Sequence, residues 1–137
     1  MLRRTLLLSA AGLVCATTAR AADTTTLARQ SAERWLALVD AGDYLASWQQ
    51  AGTMFKGAMD AERWTRSVSA VRGPLGALRQ RTAKSAETQQ TLPGLPDGQY
   101  AVLAYDSAFA NKAAAVETVT TVREPDGAWR VIGYFIR

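Results

Sequence analysis

Trp129-Arg130-Val131-Ile132-Gly133-Tyr134-Phe135-Ile136 reads as a β-strand, and this stretch decides the fold. Glu124-Pro125-Asp126-Gly127 before it is a turn, with Pro and Gly at favoured type I positions. Upstream, Ala113 to Arg123 sets Val116, Thr118, Thr120 and Val122 opposite Glu117, Val119 and Thr121. Gln99 to Phe109 puts Leu103, Tyr105 and Phe109 on one face and Tyr100, Val102, Ala104 and Asp106 on the other. Gly98 to Arg137 is therefore expected to form three consecutive strands. In the last, simple alternation groups Trp129, Val131 and Phe135 against Ile132, Tyr134 and Ile136. Both faces are apolar, so both must be covered. Helices can cover one face. The other needs a curled sheet, more chain or a second subunit, and a homodimer is expected on this ground.

The material for that cover lies between Thr24 and Lys84. Leu27, Ser31, Trp35, Leu38 and Val39 recur at helical spacing through Ala41, and Gly42 is placed to stop the helix. Asp43 can cap a second short helix through Gln50, with Tyr44 and Trp48 four apart on one face. Gly52 and Gly57 weaken any helix from Ala51 to Met59, and Met54 and Phe55 are expected to dock onto the core. Asp60 can cap a better helix, with Met59 and Trp64 spaced as a hydrophobic staple. Its apolar stripe is Trp64, Val68 and Val71, and Gly73-Pro74 is expected to end it. Ala77 to Ala83 or beyond suits a polar edge strand, and Pro93-Gly94 with Pro96-Asp97-Gly98 signals turns. The fold class is α+β, with N-terminal helices on a curved antiparallel sheet of about four strands.

Residues 1–21 have the three parts of a secretory signal peptide. Met1-Leu2-Arg3-Arg4 is basic, Leu6 to Ala16 is apolar, and Ala19-Arg20-Ala21 offers small residues at a cleavage site. Cleavage after Ala21 and a periplasmic or secreted location are expected, with residues 22–137 as one domain. The apolar run is shorter than the roughly 20 residues of a bilayer span, so no transmembrane segment is expected. Cleavage takes three of the 16 basic residues, leaving 13 against 12 acidic. That near-neutral balance disfavours nucleic acid. Cleavage also removes Cys15, so the mature chain would rely on its core and not on disulfides.

Several residues together resemble an exported bacterial family, domain of unknown function 4019 (DUF4019). They include Trp35 with Asp40-x-Gly42-x-Tyr44, Ser47-Trp48, Arg72-x-Pro74-Leu75-Gly76 and Arg81. Pro93-Gly94-x-Pro96-Asp97-Gly98-x-Tyr100, Phe109, Glu117-Thr118 and Trp129-Arg130-x-x-Gly133-Tyr134-Phe135 complete the pattern. Helices followed by a curved sheet is also the order of the cone-shaped fold of nuclear transport factor 2. The resemblance implies export and that fold. It implies no activity and carries over no catalytic residue.

Absences narrow the chemistry. The chain has no His, and its one Cys lies in the signal segment. A cysteine nucleophile, a His-based triad and the usual zinc sites are excluded from the mature chain. No phosphate loop or calcium loop stands in the sequence, so neither cofactor nor metal is expected. Carboxylates, tyrosines and arginines remain. Asp106 and Glu117 on neighbouring strands, with Tyr100, are the candidates for acid–base work in a cone pocket. The competing reading pairs Glu117 with Arg72, Arg79 or Arg81 and leaves Asp106 solvated. Tyr44 and Trp48, whose polar tips want partners, are candidate ligand contacts, as are Arg72 and Arg81 of the basic run Arg63 to Lys84. The leading expectation is a non-enzymatic envelope module that binds a small apolar ligand or another protein. The alternative is a small cofactor-free enzyme using a carboxylate and a tyrosine.

Overall fold

The computed structural model describes residues 16–137, with side chains from Thr24 onward. Most of the expected signal segment lies outside the described residues. Four helices, α1 (Ala16–Asp40), α2 (Tyr44–Gln50), α3 (Thr53–Ala58) and α4 (Ala61–Leu75), precede four strands. These are β1 (Leu78–Gln89), β2 (Tyr100–Phe109), β3 (Lys112–Arg123) and β4 (Trp129–Ile136). They form one antiparallel sheet in the order β1-β2-β3-β4. The helices cover one face of it, so the class is α+β as expected.

Local chemistry sets the helix ends. Gly42 takes φ 74°, and the N–H groups of Gly42 and Asp43 return to the carbonyls of Val39 and Leu38, which closes α1 with two of its free carbonyls satisfied. Asp43 accepts from the Ala46 N–H at 3.2 Å, and Asp60 from the Arg63 N–H at 2.8 Å. The end of α4 departs from expectation. It runs through Pro74 to Leu75 and stops at Gly76, with φ 74°. Proline lacks an N–H but is tolerated here because the helix ends one residue later, where glycine supplies the left-handed turn.

The core is aromatic. Trp35 of α1 packs edge-on to Phe55 and Tyr134, with Trp64 5.7 Å away. Leu36, Val39, Val68, Leu103, Val119 and Val131 complete the cluster. The buried face of α1 also includes Ala28, Ala32 and Leu36, while Leu27 is 53% exposed. The expected α4 stripe is corrected in the same way. Val71 is half exposed, and Arg72 takes the buried position beside Trp64 and Val68. Spacing of four places Arg72 one turn beyond Val68 on the face turned to the sheet, and Val71 falls beside it.

The face assignment of β4 needs the largest correction. Thr121 pairs with Val131 but Thr120 pairs with Gly133, so Ile132 is an extra residue in the ladder. The bulge reverses the alternation. Val131 lies across from Thr121, Tyr134 from Val119 and Ile136 from Glu117, all on the helix-facing side. Ile132 instead meets the α2–α3 junction, where the Gly52 N–H bonds the Val131 carbonyl at 2.7 Å. Trp129 and Val131 are buried within the single chain, and Ile132, Tyr134 and Ile136 are partly buried. Phe135, 53% exposed, is the large apolar side chain that β4 leaves on the outer face.

Candidate functional site

Glu117 is fully buried on the helix-facing side of β3, and four donors converge on its carboxylate. Oε1 accepts from Arg81 Nε at 2.7 Å and from the Ser107 hydroxyl. Oε2 accepts from Arg81 Nη2 at 3.1 Å and from the Tyr134 hydroxyl. A carboxylate offers about four lone-pair sites, so every one is taken. Alternation brings Ser107 to the Glu117 face of β2, and the β4 bulge brings Tyr134 there.

Arg81 carries the network outward. Its Nη1 and Nη2 donate to Asp40 Oδ2 at 2.7 Å and Oδ1 at 2.9 Å, at the last residue of α1. Burial works against its charge, but the hydrogen bonds and charges of Asp40 and Glu117 outweigh burial and hold the guanidinium above its ordinary pKa. Arg72, with a side chain 5% exposed, donates Nη2 to Asp40 Oδ1 at 2.9 Å and lies 4.8 Å from the centre of the Phe109 ring. Its Nε and Nη1 are buried without a partner, as is the Tyr105 hydroxyl. Burial and the nearby Glu117 charge push the Tyr134 hydroxyl well above its ordinary pKa. Burial pushes Tyr105 up to about 12. The network joins α1, α4 and all four strands.

The proposed acid–base trio does not assemble. Asp106 points to the outer face, 60% exposed in its side chain, with Lys84 at 3.4 Å. Tyr100, also on the outer side, is buried and donates its hydroxyl to the Pro96 carbonyl. Odd and even residues of a strand face opposite ways, so neither reaches Glu117. Of the competing pairings, Glu117–Arg81 is the one formed. Tyr44 and Trp48 pack against the aromatic core, and Trp48 Nε1 donates to the Met59 carbonyl at 2.8 Å. Arg72 and Arg81 do meet, through Asp40. A surface cleft on the outer side includes Thr82, Asp106, Val116 and Arg137 but not Glu117. Among the described residues no acidic group of three is placed to hold a metal, and no helix is long and apolar enough to cross a membrane.

Sequence reasoning missed Asp40, Ser107 and Tyr134 as members of this site. Ser107 was detectable, since it shares the alternation of Leu103, Tyr105 and Phe109. Tyr134 was not, because its side depends on the bulge.

A family model described as "Protein of unknown function (DUF4019)" matches residues 31–134. The chain belongs to that family. No curated protein matches the chain. Two solved structures share its fold. One, from Catenulispora acidiphila, is 12% identical with a TM-score of 0.57, covering 86% of this chain and 93% of that one. The other, from Shewanella frigidimarina NCIMB 400, carries the description "putative ketosteroid isomerase". It is 16% identical with a TM-score of 0.53, covering 83% of this DUF4019 chain and 97% of its own. The likeness shows the cone-shaped fold of nuclear transport factor 2 and ketosteroid isomerase-like proteins.

Proposed function

We infer that this DUF4019 protein is a non-enzymatic binding module of the cell envelope. The observation that carries the reading is the saturation of Glu117. A general base must offer a lone pair to the proton it removes, and Arg81, Ser107 and Tyr134 occupy all of those of Glu117. The aromatic cluster fills the space beside it, which favours a partner at the surface over an apolar molecule in the core. The basic, apolar and small-residue pattern of residues 1–21 supports delivery to the periplasm.

One observation favours a second reading. A carboxylate and a tyrosine do touch, in Glu117 and Tyr134 rather than in the residues expected, and one fold relative is described as an isomerase. An assay with a 3-oxo-Δ5 steroid separates the two. The binding module leaves the rate at that of buffer. Turnover that survives purification and is lost in a folded Glu117→Gln variant would overturn it. Export is tested by native mass spectrometry of the full-length gene product recovered from the periplasm. The expected species starts at Ala22 and carries a co-purifying partner.

A further inference from the structure

The helices cover one face of the sheet, and the other face carries a pattern complementary to itself. The strand register sorts its side chains into rows. On β3, Val116, Thr118 and Thr120 point away from the side of Glu117 and so lie outward. Val116 is flanked by Asp106 on β2 and by Arg137 just past β4. Thr118 is flanked by Ala104 and Phe135, and Thr120 by Val102 and Gly133. In each row the two flanks are opposites. The first sets an acid against a base, the second a small side chain against a large one, and the third a valine against a glycine. Phe135 stands 53% exposed. Asp106 has only the half-exposed Lys84 at 3.4 Å, and among the described residues Arg137 has no carboxylate partner. Both border the outer cleft, with Val116 between them.

We propose that this face binds a second copy of the chain, with the two-fold axis lying along β3. Such an axis lays β2 of one copy over β4 of the other, and every contact occurs twice. Asp106 then meets the partner's Arg137. Phe135 settles over the partner's Ala104, and Val102 over the partner's Gly133. Aligned sheets stack with their strands within about 30° of each other, and the flanking residues lie one strand from the axis, where twist displaces them least. Four strands about 4.8 Å apart and roughly 30 Å long present on the order of 600 Å² a side, so the pair buries about 1,200 Å², the low end of a specific interface. Phe135 is the apolar anchor, and the Asp106–Arg137 pairs at the rim set the register. The inference stands on the sheet register and does not rest on the binding reading.

The test is a charge swap read by sedimentation equilibrium of the purified protein. Wild type should be a dimer that dissociates on dilution. Asp106→Arg sets arginine against arginine at both contacts, and Arg137→Asp sets carboxylate against carboxylate. Each variant alone should weaken the dimer about tenfold or more, because like charges are brought together. Mixed in equal amounts, the two variants should pair with each other, since both contacts are then opposite in sign again. Both positions are exposed, so the fold is spared. Thr118→Arg, which puts two cations on the axis, should weaken the dimer as an independent check. A wild type that stays monomeric at millimolar concentration overturns the proposal. So does a dimer that survives all three variants, or one lost in the single variants and not regained on mixing. A monomer that co-purifies with a different protein, released by Phe135→Ala, gives the face to that partner and overturns the second copy. Steroid turnover is read separately, so the binding reading can fail while the dimer stands, and the reverse.

Discussion

Tyr134 donates its hydroxyl to Glu117 because Ile132 is an extra residue in β4. Without that bulge Tyr134 would lie on the outer face, and Glu117 would keep an unfilled lone pair in the core. Tyr134→Phe tests this contact. The variant should fold and lose about 1–3 kcal/mol, the cost of leaving one buried acceptor unpaired. Urea denaturation measures it.

Glu117→Gln should cost more. The amide removes the charge that answers Arg81 and turns an N–H toward donors. Breaking one side of a buried ion pair costs ~3–5 kcal/mol. Combined with Tyr134→Phe the losses should fall short of additive, since both act on one network. Full additivity in a double-mutant cycle would mean that the two side chains act separately.

Arg72 and Arg81 should differ in the cost of replacement by Met. Arg81→Met strips both carboxylates of their main donor and should be destabilising by ~3–5 kcal/mol. Arg72→Met removes one of the two positive charges that answer Asp40 and Glu117 but only one hydrogen bond, so it should destabilise by less than Arg81→Met. Paired thermal melts at one salt concentration make the comparison.

Gly52 sits where a side chain has no room. An added Cβ would stand 2.8 Å from Ile132 Cγ2 and 3.3 Å from the Val131 carbonyl. Gly52→Ala should therefore lose ~1–3 kcal/mol through overpacking. A variant as stable as wild type by urea denaturation would show that the α2–α3 junction yields easily.

The alkaline limb of stability should carry the mark of the buried tyrosines. Tyr105 is raised from 10.0 to about 12 in the folded chain, chiefly by burial. The unfolded chain then releases a proton from pH 10 upward while the folded chain holds it. The contribution is whole below pH 10 and falls as pH climbs toward 12. Tyr134, raised further, acts with the same sign. Tyr105→Phe should flatten stability between pH 10 and 12, measured by denaturant midpoint against pH.

The order of elements was legible in the chain itself. Gly42, Asp43 and Asp60 act locally, through a backbone angle or a side chain bonding a nearby N–H, and each does what its position implies. The alternation of β2 and β3 was equally plain, because a period of two needs no knowledge of neighbours. Three outcomes belonged to the tertiary structure alone. The bulge at Ile132 arises where β4 meets both Thr120 on β3 and Gly52 beyond α2, a contact between distant parts of the chain. The burial of Arg72 in place of Val71 depends on which side of α4 faces Asp40, at 32 residues' separation. The choice of Arg81 for Glu117 depends on two strands and the end of α1 meeting at one point. Periodicity reports what a residue's neighbours in sequence require, whereas charge pairing in a core is settled by which side chains the closed sheet brings within 3 Å.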